Sequence, residues 1–475
     1  MVFSSLIFTF YFLPIVLLLY FLAKDKYRNY ILLGVSLLFY AYGEPRFVFV
    51  MFAMILTNYK MALWINKKKE VSANVFARNL LILTIVFNLS ILFLYKYLDF
   101  SIDILNFFLK TNLPLQNIVL PIGISFFTFQ ALSYVIDVYR GNAQVQKNPF
   151  YLALYISFFP QLIAGPIVRY QTIEQQITQR KCTIEKFGEG GRRFLLGFCK
   201  KVILANHLSE VSTVISEGII TQTNPVLLWI GSICYSLQIF YDFSGYSDMA
   251  IGLGKIFGFE FEENFNYPYI SKTITEFWRR WHISLGQWFR DYVYIPLGGS
   301  KMSVPKNLLN LFIVWSLTGI WHGANFNFVA WGLGYFILLA AEKYVIKPDK
   351  RKSKVLKIIW QIVTLLSINF GWVIFRAQGI KEGIQYCFAM LGYYKIYELL
   401  DSSVIYYFRE YGFFMLVGVI CVTPVIRKIG DFADRNRRAA YIRDVATPIC
   451  YGLCFLWAVS YLILGAHNPF IYFNF

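Results

Sequence analysis

Apolar residues run along this chain in blocks of about 20, the length needed to cross a hydrocarbon core, separated by short polar loops. Roughly ten to twelve such blocks are present, and they leave no room for a large soluble domain. The pattern predicts an all-α polytopic membrane protein, folded as a single domain over residues 1–475. Phe3 to Leu22, Leu80 to Tyr95, Ile358 to Phe375, Phe413 to Ile426 and Ile449 to Leu464 read as plain spans that form a wall. Asn88 and Asn369 are the isolated polar groups within them that bond neighbouring helices. Segments near 29–42 and 47–65 form a pair that crosses out and back around Gly43-Glu44-Pro45-Arg46. The first block has neither a basic leading region nor a small-residue cleavage site, so it reads as an uncleaved span.

Two apolar segments carry helix breakers: Pro121-Ile122-Gly123 through Gln130, and Phe159-Pro160 through Gly165-Pro166. Broken or re-entrant helices are expected there, with simple proline kinks as the alternative. Non-helical backbone at membrane depth needs protein or a water-filled space to satisfy it, so these breaks point to a cavity. The region from about 240 to 327 is rich in motifs and has no counterpart in the first half. That asymmetry counts against a transporter built from two related halves.

Composition agrees with the pattern: 57% of residues are hydrophobic and only 15% charged, against roughly 25% charged in soluble domains. The net charge of +18 would suggest nucleic acid in a soluble chain. Here the basic residues cluster in loops, at Lys24 to Arg28, Lys67 to Lys69, Arg169 to Lys201, Lys347 to Lys354 and Arg427 to Arg443, where they set orientation. These loops belong in the cytoplasm if the N-terminus starts outside, and the tail Asn468 to Phe475 then ends outside; no nucleic acid is implied. Seven cysteines lie scattered with no Cys-x-x-Cys pair, so neither zinc nor a disulfide framework is indicated. Cys450 and Cys454 share a helical face as two small apolar residues. Phosphate-binding glycine loops, Gly-x-Ser-x-Gly elbows and metal-binding histidine motifs are absent.

Between Lys306 and Glu342 the ionisable side chains are His322 and Tyr335, and an intramembrane histidine is costly unless used. His322 sits in Thr318-Gly319-Ile320-Trp321-His322-Gly323, with Asn325 and Asn327 nearby. A neutral imidazole of pKa near ~6.5 is suited to take a proton from a hydroxyl. His282 lies earlier, in Glu276-Phe277-Trp278-Arg279-Arg280-Trp281-His282, and Trp278, Trp281, Leu285, Trp288 and Tyr292 recur at helical spacing. The spacing predicts one amphipathic helix over 273–292 with His282 facing into protein beside Trp278 and Leu285. An interfacial helix with outward-snorkelling arginines fits the same pattern, and a lone histidine on an apolar face is more often structural than catalytic. Asp242 and Asp248 follow the apolar run Pro225 to Phe240; pairing with Arg279 or Arg280 is the first expectation, cation binding or helix capping the others. Six residues apart, they do not share a helical face, which argues against paired acid-base work.

At these residues the chain resembles the membrane-bound O-acyltransferases, and in particular the branch containing bacterial alginate and peptidoglycan O-acetyltransferases. The resemblance runs through Pro121 to Gln130, Phe159 to Tyr170, Gln238 to Tyr269, Glu276 to Gly299 and Gly319 to Gly323, and extends to the tail from Pro469 to Phe475. It implies a ring of tilted helices with re-entrant segments around a central tunnel. His322 matches the family's catalytic histidine and His282 its second histidine; Trp278, Arg279, Arg280, Trp281, Trp321, Asp242, Asp248 and Asn325 are the candidate tunnel or supporting residues. The resemblance further implies acetyl-CoA as donor from the cytoplasm, no permanently bound cofactor or metal, and a separate extracytoplasmic SGNH-type acetyltransferase as partner. The resemblance also implies the bacterial cytoplasmic membrane as the setting.

The expected function is therefore transfer of acetyl from cytoplasmic acetyl-CoA toward an extracytoplasmic polysaccharide, alginate-like or peptidoglycan, with His322 as base and His282 assisting. Transfer of D-alanine from a carrier protein toward teichoic acids is the rival within the family. A transporter or flippase, or a lipid-binding scaffold, would be the reading from another class.

Overall fold

Seven helices among the described residues are long and apolar enough to cross a membrane: Val48–Glu70, Asn74–Lys96, Pro225–Ile256, Phe326–Ile346, Lys354–Arg376, Ser402–Cys421 and Arg437–Ile463. They belong to a computed structural model that describes residues 2–217, 224–348, 353–393, 401–465 and 468. All regular elements among these residues are helical. The aromatic tail from Pro469 onward and part of the basic loop 347–354 lie outside them.

The number of long spans is lower than the hydrophobic blocks suggest, for identifiable reasons. The first block is interrupted by a π-helical turn at Phe8–Phe12 before the helix Leu13–Leu22. Asp25–Gly43 opens on charged residues, and Val304–His322 carries Lys306, Asn307 and Asn310 in its first two turns. The expected Phe413 to Ile426 span instead ends at Cys421. Pro424 separates it from the short amphipathic helix Val425–Ala433, whose Val425, Ile426, Ile429 and Phe432 are exposed together. Two of the plain spans do read as wall: only 11% of the Ser402–Cys421 window and 6% of the Arg437–Ile463 window is buried, leaving apolar faces for lipid.

The chain divides into two compact units, Met1–Phe194 with Ser247–Glu262, and Leu195–Tyr246 with Glu263–Phe475. In the first, Asn58 and Asn88 exchange side-chain hydrogen bonds of 2.9 Å between two spans, as the isolated asparagine predicts. Both anticipated breaks are present. Gly123 takes φ +76° at the start of the helix Ile124–Arg140, and a Cβ there would meet the Leu162 carbonyl at 2.7 Å. Thus the two breaks lie against each other. The Phe159 amide donates to Ser36 Oγ at 3.1 Å and Gln161 Nε2 donates to the Tyr155 carbonyl, so protein groups close the second break.

The second unit is organised around aromatic rings. Trp278 meets Trp315, Trp331 and Tyr335 edge to face at centroid distances of 5.1, 5.4 and 4.8 Å, and Trp281 lies 4.9 Å from Trp372. Helices Val304–His322 and Phe326–Ala341 form a tight hairpin in which Gly319 lies against the Phe328 carbonyl and Gly332 against that of Trp315. Asn369 Nδ2 donates to Ser236 Oγ at 3.0 Å, the second interhelical asparagine bond.

Candidate functional site

The single amphipathic helix expected over 273–292 is broken in the structure. Ile274–Arg280 and Ile283–Phe289 are separate short helices, and residues 290–294 form a π-helical turn. The first is held at its N-terminus by the Thr273 hydroxyl, which accepts from the Glu276 amide. Buried Glu342 also anchors it, accepting from the amides of Ile274 and Thr275 at 2.8 and 2.9 Å. His282 sits in the break at φ 44° and ψ 55°, a left-handed conformation uncommon outside glycine.

The cause of the break is Asn264. Its main-chain carbonyl accepts from the Ile283 amide at 3.0 Å, and its Oδ1 meets the Ser284 amide, the Ser284 hydroxyl and His282 Nδ1 at 3.2, 2.9 and 3.1 Å. These bonds replace the helical ladder at residues 282–284, so helical spacing could not foresee them.

The break aims His282 inward, as its shared face with Trp278 and Leu285 predicts. The side chain is buried, with Phe243 edge-on at 4.6 Å and Trp321 at 6.1 Å. Its Nε2 has no hydrogen-bond partner among the described residues. Burial first, and the neighbouring His322 second, push His282 well below the ordinary histidine range; it lies outside the spanning helices.

His322, the last residue of its helix, is half-buried among rings: Trp321 at 4.9 Å, Trp331 at 5.1 Å and Phe375 at 5.0 Å. Both histidines line one cavity of about 200 Å³, together with Trp278, Trp281, Leu285 and Thr318, while Arg290 and Tyr294 also line it. An apolar chamber with a few polar groups converging on it is suited to hold an acyl chain and one reacting polar group.

The other anticipated residues divide sharply. Trp278 and Trp281 line the cavity, and Trp321 packs between the two histidine rings. Asn325 does not line it: its Nδ2 donates to the Gln378 carbonyl at 3.0 Å, while Asn327 donates to the carbonyls of Phe375 and Ala377, and together they hold Phe375 beside His322. Arg279 is exposed, and Arg280 pairs with Glu276 at 2.8 Å. The expected pairing of the aspartates with these arginines is therefore wrong. Asp242 pairs with Lys201 at 2.7 Å in the second unit, and Asp248 with Arg193 at 2.6 Å in the first, because their own helix turns them toward neighbouring helices. Residues not among the anticipated site residues, Asn264, Phe243, Phe375 and Trp331, complete the surroundings of the two histidines. Among the described residues no cluster suited to a metal ion occurs, and all seven cysteines are thiols.

The profile of the MBOAT, membrane-bound O-acyltransferase family, matches residues 47–376. The probable alginate O-acetylase AlgI of Pseudomonas putida is 38% identical over 496 residues, covering the whole of both chains. The peptidoglycan O-acetyltransferase of Helicobacter pylori is 31% identical over 518 residues, covering this chain fully and 98% of its own. Similarity also extends to the teichoic acid D-alanyltransferase of Bacillus subtilis, 30% identical over 273 residues, or 55% of this chain and 69% of that one.

Proposed function

Because the chain belongs to the membrane-bound O-acyltransferase family, we propose that this multi-pass O-acyltransferase takes acetyl from cytoplasmic acetyl-CoA and passes it outward for O-acetylation of an extracytoplasmic polysaccharide, alginate-like or peptidoglycan. Family membership sets aside the transporter and scaffold readings. The observation that carries the proposal is the aromatic-walled cavity that His322 and His282 share.

His322 is the general base. An imidazole within hydrogen-bond reach of a hydroxyl takes its proton as the oxygen attacks the thioester carbonyl, a contribution of typically ~10²–10⁴ in rate. The thioester carbon–sulfur bond then breaks, the acetyl group moves to the oxygen, and the proton held on the imidazole goes to the departing thiolate. His282 assists from the lining of the same cavity. The donor's polyanionic part stays in water on the cytoplasmic side while its acyl arm enters the cavity, so the coenzyme itself never crosses hydrocarbon. Basic cytoplasmic loops favour its phosphates, although orientation already accounts for those charges. A separate extracytoplasmic SGNH-type transferase takes up the acetyl group, and the bacterial cytoplasmic membrane is the setting, in line with the bacterial relatives.

The test is release and transfer of labelled acetyl from acetyl-CoA by detergent-purified protein, with His322→Ala at matched folding and a D-alanyl carrier protein offered in parallel. Acetyl-CoA turnover lost in the variant supports the proposal. Turnover of the D-alanyl carrier alone would replace acetyl with D-alanyl as the transferred group, and full activity of His322→Ala would remove His322 as the base.

A further inference from the structure

Asn264 is fully buried, and four donors converge on it. The backbone amide of Ser284 can only donate, so the Asn264 atom facing it is the amide oxygen, and the orientation of the side-chain amide follows from the chain itself. That oxygen can only accept. His282 Nδ1, 3.1 Å from the same oxygen, must therefore carry a proton, and in the neutral ring that leaves Nε2 as a lone pair. Nε2 is buried without a hydrogen-bond partner among the described residues, on a side chain that lines the cavity. A buried acceptor with nothing to accept from costs free energy unless something fills the place.

We propose that Asn264 is a positioning residue that locks His282 in its Nδ1–H form, so that His282 serves the cavity as a hydrogen-bond acceptor through Nε2 for an O–H or N–H group of the bound substrate. No proton moves to His282 in this role. The inference rests on the reading that the cavity holds the acyl donor and acceptor, and it divides the work of the two histidines: His322 takes the proton, His282 orients. The left-handed backbone of His282 fits this assignment, since the bonds to Asn264 hold a conformation the chain would otherwise leave. The titratable or charged groups lining the cavity beside His282 are His322, Arg290 and Tyr294.

A direct test needs no turnover. Nitrogen-15 spectra of the histidine-labelled full-length protein in lipid nanodiscs, with His282 assigned through His282→Asn, should show Nδ1 protonated and Nε2 bare across neutral pH. A protonated Nε2 would overturn the proposal whatever the enzyme's donor proves to be. The kinetic test compares His282→Gln, whose amide oxygen takes the place of Nε2, with His282→Asn, which reaches only the place of Nδ1. The glutamine variant should retain at least about tenfold more acetyl transfer than the asparagine variant; equal loss in both would count against an acceptor role. A raised KM for acetyl-CoA would assign the donated hydrogen to an amide of the donor's arm, and a fall in kcat alone would assign it to the acceptor hydroxyl. Asn264→Ala should lower kcat by about 10²-fold or more, as expected when an imidazole loses its tautomer partner. Asn264→Asp should restore turnover but move the acid limb of the pH profile up by about one unit or more, since a carboxylate beside His282 favours the imidazolium that cannot accept. An unchanged profile in that variant would mean that Asn264 only supports the fold. Wild-type protein inactive on acetyl-CoA but showing the expected spectrum would sink the donor assignment and leave the tautomer standing.

Discussion

Lys201 and Asp242 form an ion pair of 2.7 Å between neighbouring helices, with both side chains almost wholly buried. Lys201 Nζ also donates to Asn206 Oδ1 at 3.0 Å. The adjacent residue on the same helix, Phe243, is the ring that meets His282 edge-on, so the pair fixes the rotation that delivers Phe243. Removing one partner strands a buried charge. Asp242→Leu and Lys201→Met should each destabilise by about 3–5 kcal/mol, while the double variant recovers much of the loss. Thermal unfolding of the detergent-purified proteins checks this, and additive losses in the double variant would show that the two side chains do not act as a pair.

The helix hairpin that carries His322 depends on glycine. A Cβ on Gly319 would stand 2.5 Å from the Phe328 carbonyl, and the facing Gly332 is equally crowded by that of Trp315. Gly319→Ala should force the helices apart, costing about 1–3 kcal/mol and displacing His322 from Phe375. Gly334→Ala, on the same hairpin with open space around it, is the control and should leave both stability and acyl transfer unchanged.

Gly286 lines the cavity, and the atom nearest to an added Cβ is the Trp278 carbonyl at 3.8 Å. A methyl group fits. Gly286→Ala should preserve transfer and favour the helix by up to about 1 kcal/mol. Gly286→Leu should instead fill space the acyl group needs and reduce kcat/KM by ~10-fold or more. Equal turnover in the two variants would show that the acyl group does not occupy this part of the cavity.

Asp401 caps the helix Ser402–Cys421, accepting from the Val404 amide at 2.9 Å and from Asn224 Nδ2 at 3.0 Å. These bonds hold its carboxyl below the usual carboxylate range, the Val404 amide contributing most. A depressed folded-state pKa stabilises above the unfolded value and loses that contribution as pH falls through the folded one. The capping contribution should therefore persist at neutral pH and fade in acid, while Asp401→Ala removes about 1 kcal/mol at neutral pH and flattens this part of the pH dependence. Melting curves at neutral and acidic pH measure both.

The amino-acid sequence alone settled that this chain is helical and crosses a membrane, and it placed His282 and His322 in polar-aromatic islands. The reason is that the cost of polar groups in hydrocarbon is read residue by residue along the chain, and so is the length needed to span it. The interhelical asparagines Asn88 and Asn369 were legible for the same reason. What the tertiary structure decided is which buried polar groups meet: Asn264 with His282, Glu342 with the helix at Ile274, Lys201 with Asp242. Helical spacing predicted one continuous helix over 273–292 because it counts only neighbours in the chain, whereas Asn264, 18 residues before His282, supplies the competing bonds that break it. Aspartates and arginines likewise found partners by the rotation of whole helices rather than by proximity in sequence. The shared cavity of the two histidines belongs to this second class, since bringing residues 282 and 322 together requires the hairpin at Gly319 and the break at Asn264 at once.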